Sequence, residues 1–535
     1  MTEKFDYDIA IVGCGPVGAA MANMIAKYGH RVVIFDIHEE VFHAPRAYGI
    51  DDETCRFLQG LGLLQKLRDE KTIGTNEIWS LDASGRRLST FSASKLGDDI
   101  LKENCGQFYL NPFHQPYLER ALREEFLESD PAVAAKLGYR VSFVRDDGDF
   151  VMLEFQRFDG IKNVPLEEVT TELKVKYLIG CDGAKSIVQP LVCNDVIDLD
   201  YDEDYLVIDA IVDDEDYYNA AIPNAGYFTL DPKQAGVTMR GMHGHVRFDF
   251  HLHPDYKAHD EEAYKKLGTD YIKARGFDPD KFRPIRYAPY TFRARTPRTW
   301  RNGRLLLAGD AAHLTPPWSG QGLNMGIRDS TNLPFKLDLV LRGKASQRIL
   351  DTYVEERQTV SLETIQAAVD QGKMMQASEP VRVALRNAIF AISRGSRTIR
   401  RALWRNWQCK PSYKKGLIGG THKCSGNLMP QPRLGRPERP EEGLTLMDDM
   451  IGRNFALISN YSAAGPDIYR FVTDLGGIIL NQMTHFSDPT NQLSEWFEKN
   501  KVNSVLLRPD RYIFDAGNDP NALCASLFKR LSDQE

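Results

Sequence analysis

The chain of 535 residues has no two cysteines in a C-x-x-C arrangement. Its eight cysteines, at positions 14, 55, 105, 181, 193, 409, 424 and 524, are scattered. That argues against a disulfide framework, a zinc site and a dithiol redox centre, and it fits a reducing, cytoplasmic setting. A membrane-spanning apolar run is missing as well. The longest candidate, Ile9 to Ile25, is interrupted by Gly13, Gly15, Pro16 and Gly18. The opening residues lack a basic segment followed by an apolar run, so no secretion signal is expected. Charge of one sign is not in excess: 67 basic residues face 74 acidic ones, for a net charge of −7. With no basic arm or stripe, a nucleic-acid partner is not expected. Neither G-x-S-x-G nor H-E-x-x-H occurs, which removes two hydrolase signatures.

What is present is an ordinary globular composition, 42% hydrophobic and 26% charged. The length calls for roughly two to four domains. Tyr7 to Val12 is a β-prone run, apolar from Ile9 onward as a buried parallel strand should be. Gly13-Cys14-Gly15-Pro16-Val17-Gly18 follows at once. Val17, Ala20, Met21, Met24 and Ile25 then recur with the period of a helix packed on a sheet. Gly29 is placed to end that helix, and Arg31 to Phe35 reads as the next strand, closed by Asp36. In such a unit Gly13 permits the tight turn, Gly15 lets backbone amides approach a pyrophosphate, and Gly18 allows close helix–strand packing. Pro16 suits the first helical turn, the helix N-terminus favours phosphate, and Asp36 is placed to accept from a ribose hydroxyl. These residues by themselves admit NAD, NADP or FAD.

Two further signatures follow. Leu178-Ile179-Gly180-Cys181-Asp182-Gly183 is an apolar strand that turns sharply at Asp182-Gly183. Arg304 to Ala308 is another buried strand, followed by Gly309-Asp310 and then by Pro316-Pro317-Trp318-Ser319-Gly320-Gln321-Gly322-Leu323-Asn324. The glycine turn at Gly320 to Gly322 opens a helix whose amides can face an electron-rich ring edge. Asp310, at a strand end, is placed for a second ribose-type hydroxyl. Trp318 is a candidate pocket wall.

The three motifs, in this order, resemble those of the single-component FAD-dependent aromatic hydroxylases with the p-hydroxybenzoate hydroxylase fold. The similarity is greatest to the 3-(3-hydroxyphenyl)propionate hydroxylase subfamily. Pro45-Arg46-Ala47, Gly49-Ile50-Asp51-Asp52-Glu53, Leu350-Asp351-Thr352-Tyr353 and Glu356-Arg357 carry that closer likeness. The resemblance implies FAD, with NAD(P)H as co-substrate and NADH favoured, and hydroxylation of a small phenolic substrate with O₂. It implies that Arg46 and Gln115 contact the ribityl-phosphate part of FAD. Asp182-Gly183 would touch FAD and the nicotinamide, Asp310 the ribityl chain, and Gly320 through Asn324 the isoalloxazine. The Asp-Gly motif departs from the family in ending at Gln189 where arginine is usual. Only one glycine-rich dinucleotide unit is present, so the nicotinamide is expected to bind without a domain of its own. The Trp-x-Trp-x-Ile-Pro signature of flavin halogenases is absent. Another FAD-dependent oxidoreductase of this fold, or a flavin-binding protein without turnover, stays open as an alternative.

Between the second and third motifs, His243, His245, Arg247, Asp249, His251 and His253 alternate with Val246, Phe248, Phe250 and Leu252. The pattern reads as a strand with one polar and one apolar face. A metal site is not expected, because residues two apart stand about 7 Å apart along a strand and Arg247 separates the histidine pairs. His243 or Arg247 is instead a candidate for meeting a substrate carboxylate or phenol, and a polar face that is simply solvated is the other reading.

The expected fold class is α/β. A discontinuous Rossmann-type FAD domain (1–75, 106–190 and 286–365) is interleaved with a sheet-based substrate domain (76–105 and 191–285). A helical region and linker (366–429) then leads to a thioredoxin-like C-terminal domain (430–535). The resemblance supplies that last assignment, and without C-x-x-C a packing or oligomer-contact role is its default. A homodimer is compatible with this reading. The arginine run Arg394 to Arg405 reads as a solvated helix face.

Overall fold

The computed structural model describes residues 5–532, apart from 71–76, 93–110, 130–131, 168–169, 254–259, 397, 400–409, 439–442, 463 and 483. Residues 76 and 93–105 of the expected substrate-domain segment 76–105, and Arg400, Arg401 and Arg405 of the arginine run, lie outside the described residues.

Tyr7–Val12 and Val32–Asp36 pair in parallel, joined by the helix Pro16–Lys27, which buries Ala19, Ala20, Met21, Ala22 and Ile25 against the sheet. Thr171–Gly180 joins the other side of Tyr7–Val12 in parallel, and Leu305–Leu307 adds beside it. The ends of these strands fall in register, Phe35 with Val12, Val12 with Gly180, and Gly180 with Leu307. Four strand ends contributed by distant segments therefore open on one edge of a nine-stranded sheet. In open α/β sheets that carboxyl edge is where ligands bind.

A seven-stranded sheet forms the second layer. Its order is Arg283–Pro297, Val196–Ile211, His245–His251, Gly236–Arg240, Ala225–Thr229, Glu77–Leu81 and Arg87–Ser92. Arg283–Pro297 pairs with Val196–Ile211 from Arg283 through Pro297, so this sheet runs past residue 285, where the sequence pattern placed its end. The histidine-rich strand also differs from its expected form. It spans only His245–His251, because His243 takes a left-handed turn conformation (φ 54°) beside Gly244. Val246, Phe248 and Phe250 pack with Tyr271, Ile272 and Phe282 as the alternation predicts. The polar residues His245, Arg247 and Asp249 are buried too, so neither face of this stretch is solvated.

The C-terminal unit has a four-stranded sheet in the order Ile478–Asn481, Ala456–Ser459, Ser504–Leu507, Ile513–Gly517; the first pair is parallel and the others antiparallel. Leu457, Leu506 and Phe514 belong to the same hydrophobic cluster as the parallel strands of the first sheet. Phe455 meets Phe335 edge-on at 6.0 Å. Phe335 sits in the helix Gly322–Leu341, which runs unbroken through Pro334. The C-terminal unit is thus packed onto the first domain through shared core.

Candidate active site

The three glycine motifs, far apart in sequence, meet at the carboxyl edge of the first sheet. Gly13 has φ +101°, and a Cβ there would stand 2.6 Å from the carbonyl carbon of Cys181 and 2.8 Å from the Cα of Asp182. Only glycine combines that backbone with that contact. Gly18 faces the carbonyl of Gly13 so closely that a side chain would overlap it. Gly309 packs on Val17, where a Cβ would come within 3.1 Å of the valine methyl. At Gly15, by contrast, an added Cβ would meet nothing within 4 Å. Open backbone at the start of a helix, flanked by packed glycines, suits a dinucleotide pyrophosphate.

Asp36 ends its strand with both oxygens oriented: Cys14 N donates to Oδ2 at 2.7 Å and His38 N to Oδ1 at 2.8 Å. Each oxygen keeps a lone pair for a hydroxyl. Asp310 is open to solvent with protein atoms packed around its carboxyl. That burial raises its carboxyl above the usual range, opposed by His313 and Arg46. Arg46 is itself exposed. Its amide and that of Ala47 donate to Gln115 Oε1 at 2.8 and 2.7 Å, and Gln115 Nε2 donates to Glu119. Gln115 is therefore buried and shapes the loop that carries Arg46.

Asp182 turns inward, accepting from Ser186 Oγ and from the amide of Ile187, while Gly183 takes φ +79°. Gln189, where the family usually has arginine, donates from Nε2 to the carbonyl of Cys193 and so braces the short helix Gln189–Val192. In the third motif, Gly320 has φ +64° and Gly322 begins the helix Gly322–Leu341. The side chains of Gln321 and Asn324 are buried. Asn324 Oδ1 accepts from Asp51 N at 2.9 Å and Thr54 Oγ1 at 2.7 Å, and its Nδ2 donates to Gly320 O at 2.8 Å. Gln321 Oε1 accepts from Arg328 Nη1 at 2.9 Å. These two side chains fasten the turn, leaving Gly320, Gly322 and Leu323 to present backbone.

Trp318 is buried, with its indole N–H donating to Tyr201 Oη at 2.8 Å and its ring near Tyr205 and Phe228. Gln376 Nε2 donates to Tyr205 Oη at 2.7 Å, and Tyr201 Oη donates to Gln376 Oε1 at 3.2 Å. The result is an aromatic wall with phenol hydroxyls already held by polar partners.

Arg247 is placed differently from a free carboxylate receptor. Its guanidinium pairs with Asp249 and donates to the carbonyls of Pro45 and Arg46 at 3.2 and 2.9 Å. Arg286 also donates to Pro45 O, and to Asp209. Beside them, Tyr48 Oη and His245 Nδ1 share a 2.5 Å hydrogen bond, and His245 faces Asp209. Together these groups clamp the Pro45–Tyr48 loop onto the second sheet. His243 lies near Tyr117, with rings 5.5 Å apart. His114, packed edge-on against His245, has its imidazole pushed down to about 4 by burial and by the neighbouring histidines. Among the described residues, no cluster of three or more His, Cys, Asp or Glu could hold a metal ion. A separate concavity of about 550 Å³, lined by Arg348, Asp351, Glu355, Lys414, Lys415 and Arg530 among others, contains none of the residues of the three glycine motifs.

Sequence reasoning missed the polar cluster behind the third motif. Asp329 accepts from Gly309 N and Arg357 Nε, each at 2.9 Å, and pairs with His313 at 2.9 Å. All three side chains are buried. The available signal was the Arg328-Asp329 pair in the helix that follows the third motif.

The fold and these motifs define a dinucleotide-binding α/β protein with a second, sheet-based unit. A family profile described as FAD binding domain matches residues 6–368. The chain belongs to that family, and FAD is its cofactor. A profile described as HcaD C-terminal domain matches residues 478–530. The chain is 28% identical to a 3-(3-hydroxy-phenyl)propionate/3-hydroxycinnamic acid hydroxylase of Mycolicibacterium gilvum, over 96% of this chain and 89% of that protein. It is also 28% identical to a probable NADH-specific resorcinol 4-hydroxylase of Rhodococcus jostii, over 98% and 94%. Among solved structures it resembles aklavinone-11 hydroxylase in complex with FAD and aklavinone, with TM-score 0.81, 20% identity and coverage of 99% and 100%. The flavin-dependent monooxygenase PieE gives TM-score 0.77 at 21% identity, covering 98% and 100%.

Proposed function

We propose that the chain is an FAD-dependent monooxygenase that hydroxylates a small phenolic compound, with NADH and O₂ as co-substrates. The observation that carries this reading is the convergence of Gly13, Asp182 and Gly309 at one sheet edge, facing a second sheet whose near wall is aromatic. Bound FAD supplies the redox chemistry: NADH, H⁺ and O₂ enter, one oxygen atom goes to the ring and the other leaves as water. The protein's part is binding, orientation and exclusion of water. Gly15 and the helix N-terminus would take the pyrophosphate, Asp36 the adenosine ribose, Arg46 and Asp310 the ribityl-phosphate portion, and the Gly320–Asn324 turn the ring. Trp318, Tyr201 and Tyr205 would border the substrate, and substrate-like ring stacking favours such aromatic walls.

The reading extends to three domains, the last of them thioredoxin-like. Its βαβ start and antiparallel closing hairpin in the strand order given above support that assignment. It also includes a homodimer in a reducing cytoplasm. The exposed stripe Val381, Leu385 and Ile392 on the helix Pro380–Gly395 supports association, and the six described cysteines are all unpaired. A screen of phenolic acids and alkylphenols for stimulated NADH consumption, with product identification, tests the function. A compound that accelerates consumption and is recovered carrying a new hydroxyl supports it. NADH oxidation that never depends on a phenol removes it.

A further inference from the structure

The turn Gly320–Asn324 is reached from behind by a polar chain that begins in the C-terminal unit. Tyr512 Oη, on a fully enclosed ring, donates to Glu53 Oε2 at 3.0 Å. Arg328 Nε lies 3.1 Å from the same Glu53 oxygen. Arg328 Nη2 pairs with Asp51, and Nη1 donates to Gln321 Oε1 at 2.9 Å. Asp51 in turn caps the helix Asp52–Gly60 through Thr54 N at 2.9 Å and fixes Asn324 through its own amide. One guanidinium thus touches both the turn and the segment that braces it.

A second set of charges seats the C-terminal unit at this place. Arg508 donates to Glu356 at 2.8 and 2.7 Å and to Asp510 at 2.6 and 3.0 Å, with every member buried. Asn332 and Lys336, one and two turns beyond Arg328 on the same helix, donate to Glu356 at 2.7 and 2.8 Å. Buried ion pairs of this kind add little net stability over apolar packing, but they tolerate only one geometry. Their placement along a single helix points to register, with the tip residues Arg508 to Tyr512 held against the back of the cofactor turn.

We infer that Arg328 is the positioning residue for the Gly320–Asn324 turn, and that Tyr512 of the C-terminal unit sets Arg328 through Glu53. The C-terminal unit is then a built-in part of the flavin site and not an appended module. The inference rests on the reading that this turn lies along the flavin ring. Arg328 is buried behind the turn and reaches it through Gln321 and Asp51, and Tyr512 reaches Arg328 through Glu53.

The test uses the full-length holoenzyme, with Tyr512→Phe and Arg328→Lys compared with Ser504→Ala. Ser504 Oγ donates to Ser459 Oγ at 2.9 Å inside the C-terminal sheet, away from the chain of contacts, so its loss reports general loosening of that unit. FAD dissociation constants, the visible absorption bands of bound flavin and the fraction of NADH coupled to product are measured for each. Tyr512→Phe is expected to weaken FAD about fivefold, displace the flavin bands and lower coupling, with Arg328→Lys acting the same way more strongly. Ser504→Ala should leave all three unchanged. If Tyr512→Phe matches the wild type, or shows only what Ser504→Ala shows, the inference is overturned. If Tyr512→Phe does not fold, Arg328→Lys decides on the same measurements. A wild-type protein that takes up no FAD would instead overturn the reading of the site.

Discussion

Val17 occupies the space that a side chain at Gly326 would need: a Cβ there would overlap the valine methyl and stand 3.3 Å from the Cα of Gly309. This contact joins the first and third motifs, because Val17 opens the first helix and Gly326 lies one turn into the Gly322–Leu341 helix. Gly326→Ala should therefore push the two helices apart. We expect a loss of about 1–3 kcal/mol in stability from overpacking and a parallel fall in FAD retention. Denaturant titration and the flavin-to-protein absorbance ratio of the purified variant check both. An alanine variant with wild-type stability and flavin content would show that the contact yields easily.

Asp36 holds the Cys14 amide and is placed for a ribose hydroxyl. Asp36→Ala should weaken FAD by about 10- to 100-fold through the loss of charge-assisted hydrogen bonds. Asp36→Glu should weaken it less. Fluorescence titration of the apoprotein with FAD measures this, and equal affinity in the alanine variant would remove Asp36 from the site.

Burial raises the Asp52 carboxyl to about 6, with Lys410 pulling the other way and Asp51 adding to the rise. The folded value lies above the unfolded one, so this group's contribution is present at low pH and lost as pH rises through about 6. Asp52→Asn should accordingly stabilise the protein by about 1–3 kcal/mol near pH 8 and have little effect near pH 4. Urea midpoints at the two pH values test the sign. A variant less stable at pH 8 would mean that the Lys410 pair outweighs desolvation.

On the helix Pro380–Gly395, Val381, Leu385 and Ile392 are 80%, 61% and 56% exposed. If this stripe is a self-association surface, Leu385→Glu should shift sedimentation from dimer to monomer without altering flavin content, since buried charge in an apolar interface is costly. A wild-type monomer, or an unchanged dimer in the variant, would place the interface elsewhere or nowhere.

The parts of the fold most legible in sequence were those in which local pattern and tertiary burial agree. Ile9 to Val12 is apolar because both faces of that strand are covered, and the Gly13–Gly18 spacing is dictated by backbone contacts that side chains would block. The strands Ser504–Leu507 and Ile513–Gly517 and the buried Leu523, Leu527 and Leu531 of the last helix obey the same agreement. Arg247 was misleading. Its alternation with Phe248 correctly gave a strand, but periodicity cannot distinguish a polar face turned to solvent from one buried on another segment's carbonyls. The resemblance implied cofactor contact by Gln321 and Asn324; their side chains point back to Arg328 and Asp51, which leaves their backbone for that role. Partners such as Glu53 and Tyr512 are separated by most of the chain, and a single sequence contains nothing that pairs them.

The central claim is that one oxygen atom from O₂ enters a phenolic ring at the expense of NADH. The direct measurement is turnover under ¹⁸O₂ with the phenol that most accelerates NADH consumption, followed by mass spectrometry of the product. The account predicts a hydroxylated product carrying one ¹⁸O, with NADH consumed in about equal amount. Product labelled from water, or hydrogen peroxide as the sole outcome for every phenol tried, would contradict it.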